Sequence, residues 1–401
     1  MYRILRIINR FNLGGPAYNV AYLTRFLAPE FQTMLAGGEK DDTEASSDFI
    51  FQRYGITPTV IPGMKRSILP YNDLMAYRKI KQLIKTFKPH IVHTHASKAG
   101  FLGRMAAFSC GVPVTVHTFH GHIFHSYFGS WQTSLYKNIE QYLASRTTAL
   151  IALSEKQKEE LLSINHIAPA HKFHVIPLGF DLDRFNTDQP VKRKQFRTRY
   201  GFAENEVVIG IIGRLVPVKN HDLFLEAFRK AKDKSGAPLR ACIVGDGELR
   251  LHLADKCKAL HLSYSMPENE NPSADVVFTS WIKEVDIALA GLDIVALSSL
   301  NEGTPVSLIE AQAAGKPIVS TRTGGIENVV IPDVTALLSA SNNMQALADN
   351  LYRLASDRQL RTALSAQGMK FVNERFNYKI LVENTRKLYM ELLERNKVAE
   401  G

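Results

Sequence analysis

Residues 298–315 read SSLNEGTPVSLIEAQAAG. Glu302 stands just before Gly303-Thr304-Pro305, a loop that opens a helix, and Glu310 follows eight residues later inside that helix. Backbone amides across Gly303, Thr304, Pro305 and Val306 would form an anion nest at a helix N-terminus. Glu310, two turns in, is placed to accept both hydroxyls of a ribose, which leaves Glu302 free for a sugar. A second cluster is Ile212-Gly213-Arg214-Leu215 with Lys219-Asn220 close behind. A guanidinium can fork two phosphate oxygens and an ammonium supplies a point charge, so Arg214 and Lys219 suit a diphosphate. A third is Asn12-Leu13-Gly14-Gly15-Pro16, where Gly14 and Gly15 let amides approach an anion at the start of a helix.

These groups need strands to carry them. Residues 4–8, 91–93, 114–116, 149–153, 207–212, 241–244, 276–278, 294–297 and 317–320 read as strands, with amphipathic helical stretches between them. Alternation of this kind implies parallel sheets with helices on both faces. The pattern occurs twice, so the expected class is α/β: two doubly wound, Rossmann-like domains facing across a cleft. The expected limits are 1–185, 186–377 and a terminal helical segment, 378–401, that returns to the first domain. Ligands of such sheets gather beyond the carboxyl ends of the strands, where all three clusters fall.

The chain has 401 residues, 49 Lys or Arg against 39 Asp or Glu, and 45% hydrophobic residues. That composition excludes disordered and collagen-like classes, and the length exceeds a single core. Cys110, Cys242 and Cys257 are too few for a disulfide framework or a cysteine-based zinc site, and they fit a reducing compartment. No export signal is legible in MYRILRIIN and no apolar run is long enough to span a bilayer, so a cytoplasmic protein is expected. Of the net charge of +10, +8 lies in residues 1–185, and residues 65–104 hold nine Lys or Arg against Asp73 alone. Such a field favours anionic partners: nucleotide phosphates or an anionic membrane surface. Within it, residues 72–88 form an amphipathic helix whose face of Tyr77, Ile80, Ile84 and Phe87 suits packing on a sheet. No aromatic–basic interleaving supports nucleic-acid binding.

Taken together, Glu302-Gly303-Thr304-Pro305, the string from Glu310 to Pro317, Gly324-Gly325-Ile326-Glu327, Gly213-Arg214-Leu215 with Lys219, and Val244-Gly245-Asp246-Gly247 resemble the retaining family-4 glycosyltransferases of GT-B fold. Gly14-Gly15, His93-Thr94-His95 with Ser97-Lys98-Ala99-Gly100, and Thr118-Phe119-His120-Gly121-His122 resemble their bacterial capsule and lipid-linked-glycan branch. The resemblance implies transfer of a sugar from a nucleotide diphosphate, a UDP-sugar by preference, to a glycan or polyprenyl-diphosphate-linked acceptor. It implies retention of configuration, no metal and no cofactor. Arg214 and Lys219 would stabilise the leaving phosphate. His120, with His122 as the alternative, would touch the donor sugar, and Trp281 with Ile282 would lie in the base-binding loop. Two departures stand out: Gly-Gly-Pro-Ala where many relatives carry Gly-Gly-Ala-Glu, and Phe278-Thr279-Ser280-Trp281 where relatives read Phe-Leu-Gly-Trp. A sugar-nucleotide epimerase of the same fold and a non-catalytic sugar-nucleotide binder are the alternatives. Three strings are decoys: Asp181-Leu182-Asp183 as a metal motif, Gly245-Asp246-Gly247 as part of a dinucleotide fingerprint, and His117, His120, His122 and His125 as zinc ligands.

Overall fold

Parallel strands buried on both faces need near-continuous apolar runs, and such runs build both sheets. The computed structural model describes residues 1–399 except 13, 41–45, 66, 68, 121–129, 165 and 237, and leaves out the side chains of 130–133. The first sheet holds β1 (Tyr2–Arg10), β2 (Phe31–Gly38), β3 (Thr59–Val60), β4 (Ile91–His95), β5 (Val114–Thr118), β6 (Ala149–Ala152) and β7 (Phe173–Val175). The second holds β8 (Val207–Ile212), β9 (Leu239–Val244), β10 (Tyr264–Ser265), β11 (Val276–Ser280), β12 (Ile294–Leu297), β13 (Ile318–Arg322) and β14 (Ala336–Ala340). Their orders are β3-β2-β1-β4-β5-β6-β7 and β10-β11-β9-β8-β12-β13-β14. Every pairing within them is parallel. Both are doubly wound α/β sheets, the expected fold class. In each the strand order reverses beside the sheet's first strand, between β1 and β4 and between β8 and β12, and such switch points open a ligand crevice.

The chain forms two compact units, Met1–Phe180 with Phe376–Gly401, and Asp181–Arg375. The first boundary falls before Asp181 rather than after Phe185. The turn Asp183–Phe185 packs on helices Val285–Gly291 and Val306–Ala313, which belong to the second unit. The second boundary falls before Phe376 rather than after Asn377, because the Phe180 amide donates to the Phe376 carbonyl and the Tyr378 amide to the Phe180 carbonyl. Helix Tyr378–Arg395 then lays Leu381, Val382, Leu388, Tyr389, Leu392 and Leu393 into the core of the first sheet, against Ile4, Leu23 and Phe31. On a different core of this unit, helix Pro70–Phe87 buries Ala76, Ile80 and Ile84, with Tyr77 and Phe87 at its margin. That is the packing expected of its apolar stripe.

Candidate active site

In the second unit, the loops after β8, β9, β11, β12 and β13 are joined to one another. The Gly213 amide donates to the Val244 carbonyl at 3.0 Å, and the Leu215 amide to the Asp246 carbonyl at 3.0 Å. The Leu300 amide donates to the Val218 carbonyl at 2.8 Å, and the Gly325 amide to the Glu302 carbonyl at 2.7 Å. Ser298 Oγ donates to the carbonyls of Lys219 and Asn220 at 3.0 and 2.8 Å. Backbones come close enough here that a Cβ on Gly325 would overlap the carbonyl oxygen of Gly303. This mesh holds Lys219 and Glu302 in register although 83 positions separate them in sequence.

The two side chains meet: Lys219 Nζ lies 2.5 Å from Glu302 Oε1, with 22% and 10% of the side chains exposed. Ser299 Oγ donates to the same carboxylate oxygen at 2.6 Å. Glu302 is therefore not a free acid, as the spacing had implied, but the counter-ion of Lys219. Spacing could not show this because the partner comes from another strand. The Lys219 stem runs past Gly213, with Cε 3.5 Å from where a Cβ would be. Arg214 is exposed, and its guanidinium has no partner among the described residues.

Gly303 and Thr304 precede helix Val306–Ala313, whose N-cap is Pro305. Pro305 has no N–H, so the amides of the expected nest come from Gly303, Thr304 and Val306 alone. A Cβ on Gly303 would meet nothing within 4 Å, so the loop has an open side. Glu310, on the same helix, is largely buried and lies 3.4 Å from Arg184 Nη2. Burial pushes its carboxyl up to about 7, with Arg184 opposing the rise and Asp286 adding to it. Arg184 is a residue that sequence reasoning passed over; a cation immediately after the Asp-Leu-Asp string was the available signal. Trp281 is 61% exposed and Ile282 half-buried at the end of β11. Ser280 takes a left-handed φ of 59°. Its Oγ donates to Asp246 Oδ2 at 2.7 Å, a bond that offsets the cost of that backbone for a residue with a Cβ.

In the first unit, Gly14 is the extended N-cap of helix Gly15–Phe26, with no side-chain cap. His120 follows β5. Its Nε2 lies 2.9 Å from His95 Nδ1, and burial lowers its pKa to about 4. His117 bonds Thr94 Oγ1 at 2.9 Å instead. His122, Gly121 and His125 lie outside the described residues. Among the described residues no group of three or more His, Cys, Asp or Glu is arranged to hold a metal, and no helix is long and apolar enough to cross a membrane.

Residues 13–184 match the family model described as Glycosyltransferase Family 4, and residues 192–371 match that of Glycosyl transferases group 1. The chain is 31% identical over 335 residues, 83% of each protein, to a UDP-Gal:alpha-D-GlcNAc-diphosphoundecaprenol alpha-1,3-galactosyltransferase of Escherichia coli. It is 26% identical over 346 residues to the capsular polysaccharide biosynthesis glycosyltransferase CapM of Staphylococcus aureus, covering 85% of this chain and 86% of that one. In fold it is similar to the crystal structure of Anabaena HepE in complex with UDP. There the TM-score is 0.80 at 20% identity, over 97% of this chain and 100% of that one.

Proposed function

Because the chain belongs to the glycosyltransferases of GT-B fold, built from a family-4 and a group 1 domain, we propose that it moves a hexosyl group from a UDP-sugar to a polyprenyl-diphosphate-linked or glycan acceptor, with retention of configuration and without a metal. The observation that carries this reading is the pairing of Lys219 with Glu302 at the switch point of the second sheet, on the same loop as exposed Arg214, whose guanidinium has no partner among the described residues. The UDP and lipid-diphosphate in the name of the Escherichia coli relative support the choice of donor and acceptor.

In this mechanism the second unit binds the nucleotide and the first the acceptor. Glu310 accepts the ribose hydroxyls; Trp281 and Ile282 flank the base. Arg214 and Lys219 meet the diphosphate, with the amides of Gly303, Thr304 and Val306 and those at Gly14 and Gly15 completing the field. The bond from the sugar anomeric carbon to the β-phosphate oxygen breaks, and negative charge grows on that phosphate. The acceptor oxygen attacks from the face the phosphate leaves, and its proton passes to the phosphate, so the products are UDP and the glycoside. Each preorganised donor aimed at such charge lowers the barrier by roughly 3–4 kcal/mol. Glu302 holds Lys219 in place before donor arrives and meets the sugar, and His120 is assigned a contact with the donor sugar.

The basic residues of 65–104, among them Lys79, Lys81, Lys85 and Lys88, attract an anionic membrane surface that presents the lipid-linked acceptor, which puts the protein at the inner face of the cell membrane. Leu69, Tyr71, Leu74 and Met75, exposed at the start of helix Pro70–Phe87, support that contact.

A panel of UDP-, GDP- and ADP-sugars in a thermal-shift experiment tests the donor. A true donor at 100 times its dissociation constant stabilises the protein by about 2.7 kcal/mol. Equal shifts with all three bases, or none with UDP-sugars, would reject the donor assignment. Nuclear magnetic resonance of the product's anomeric centre tests retention.

A further inference from the structure

Arg6 lies at the centre of β1 with its side chain fully buried, and no carboxylate is within ion-pair distance of it among the described residues. It is surrounded by imidazoles. Arg6 Nη1 lies 3.0 Å from His93 Nδ1 and 3.4 Å from His95 Nε2. A guanidinium only donates, so both of those ring nitrogens must be unprotonated acceptors.

The consequence propagates. His93, with Nδ1 accepting, carries its proton on Nε2 and donates it to Thr118 Oγ1 at 2.7 Å. The Tyr389 hydroxyl stands 2.5 Å from the same accepting His93 Nδ1. His95, with Nε2 accepting, carries its proton on Nδ1 and donates it to His120 Nε2 at 2.9 Å. His120, accepting on Nε2, must then carry its own proton on Nδ1. That atom is buried and has no hydrogen-bond partner among the described residues. The rings are held in line: His93 and His95 lie 4.2 Å apart between centroids at 31°, and His95 and His120 lie 5.1 Å apart at 37°.

We propose that Arg6, acting through His95, fixes His120 as a neutral imidazole with its proton on Nδ1, so that this N–H stands as a preset donor to an oxygen of the bound sugar nucleotide. Burial, followed for His95 by the neighbouring imidazoles and Arg6, holds His93 and His95 well below the ordinary histidine value, consistent with neutral rings throughout. A neutral imidazole left to itself favours the proton on the other nitrogen, so the Arg6 charge is what makes this tautomer dominant. Arg6 and His95 are positioning residues. The inference rests on the proposed meeting of His120 with the donor for its purpose, but not for its geometry.

The test begins without donor. Long-range proton–nitrogen correlation spectra of protein labelled with 15N-histidine distinguish the two tautomers, with His120→Gln identifying the signal. The wild type is expected to show His120 with its proton on Nδ1. His95→Phe keeps the ring shape and removes the donor, and should return His120 to the Nε2-protonated form. His95→Gln, whose amide can still donate to Nε2, should retain the wild-type tautomer. Arg6→Met should resemble His95→Phe; if it fails to fold, His95→Phe alone decides. A wild-type His120 protonated on Nε2, or a tautomer unchanged in His95→Phe, overturns the proposal. Turnover is then measured with a UDP-sugar: His95→Phe should lose tenfold or more and His95→Gln should recover most of it. A tautomer that moves as expected while His120→Gln turns over normally upholds the relay and rejects the donor contact of His120.

Discussion

Replacing Glu310 by glutamine should stabilise the empty protein and weaken its hold on nucleotide, in a pH range set by the carboxyl itself. Burial raises Glu310 from its ordinary 4.5 to about 7, against the pull of Arg184 and with the push of Asp286. A carboxyl whose folded value is raised contributes its full stability below the unfolded value and loses it as pH rises through the folded one. The loss here accumulates between pH 4.5 and about 7. At pH 8 it amounts to at most about 3 kcal/mol. Glu310→Gln is uncharged at every pH, so it should match the wild type at pH 4 and exceed it at pH 8 by up to that amount. For a unit of this size the gain corresponds to roughly 5–10 °C in melting temperature. Trp281 lies in the second unit with Glu310 and reports its unfolding by fluorescence once Trp131→Phe silences the chain's other tryptophan. UDP titrated by calorimetry should bind the variant about tenfold or more weakly at pH 8, the worth of a hydrogen bond to a charged acceptor. Wild-type affinity should rise from pH 6 to pH 8 while the variant's stays flat. A variant no more stable than wild type at pH 8, or equally advantaged at pH 4, would refute the reasoning.

Other outcomes follow from the Lys219–Glu302 pair. Lys219→Ala and Arg214→Ala should each cut turnover by about 10²–10³ with the protein still folded, as measured by UDP release; near-normal turnover in both would remove them from the leaving-group site. Glu302→Gln releases the Lys219 ammonium to the diphosphate, so UDP should bind as tightly as to wild type or more so while transfer slows; weakened UDP binding would mean that Glu302 holds the nucleotide itself. Transfer should persist in EDTA, and activity lost to EDTA and restored by Mg²⁺ would return Asp181 and Asp183 to consideration as metal ligands.

What could be read from the residues depended on the range of the interaction. β8 and β12 have the limits their apolar runs indicated, because each is a central strand covered on both faces. β2 was missed: FQTMLAGG mixes Gln, Thr and a glycine pair into a strand whose burial only the neighbouring β1 explains. β3 and β10 are two residues each, too short for any periodicity to register. In the candidate site, the types and spacing of Glu302, Glu310, Arg214 and Lys219 were legible, since each follows a strand. Their pairings were not. Glu302 with Lys219 is made across the sheet and Glu310 with Arg184 from the distant turn Asp183–Phe185, and nothing local records them. The buried Arg6 cluster was least legible, because a charge in an edge-like N-terminal segment reads as a solvated one. Only the central place of β1 in its sheet reverses that reading.

The return of helix Tyr378–Arg395 to the first sheet has a consequence for the order in which the protein comes into being on the ribosome. Domains generally fold as units during synthesis, the N-terminal one first. Here the second unit is one continuous stretch, complete when Arg375 has been added, whereas the first still lacks a layer of its core. Until Leu381, Val382, Leu388, Leu392 and Leu393 emerge, the side of the first sheet they cover is bare, and Tyr389 is not yet beside His93 and Arg6. The half translated first is therefore the half that finishes folding last. Until that helix is in place, the first sheet presents an apolar face to chaperones.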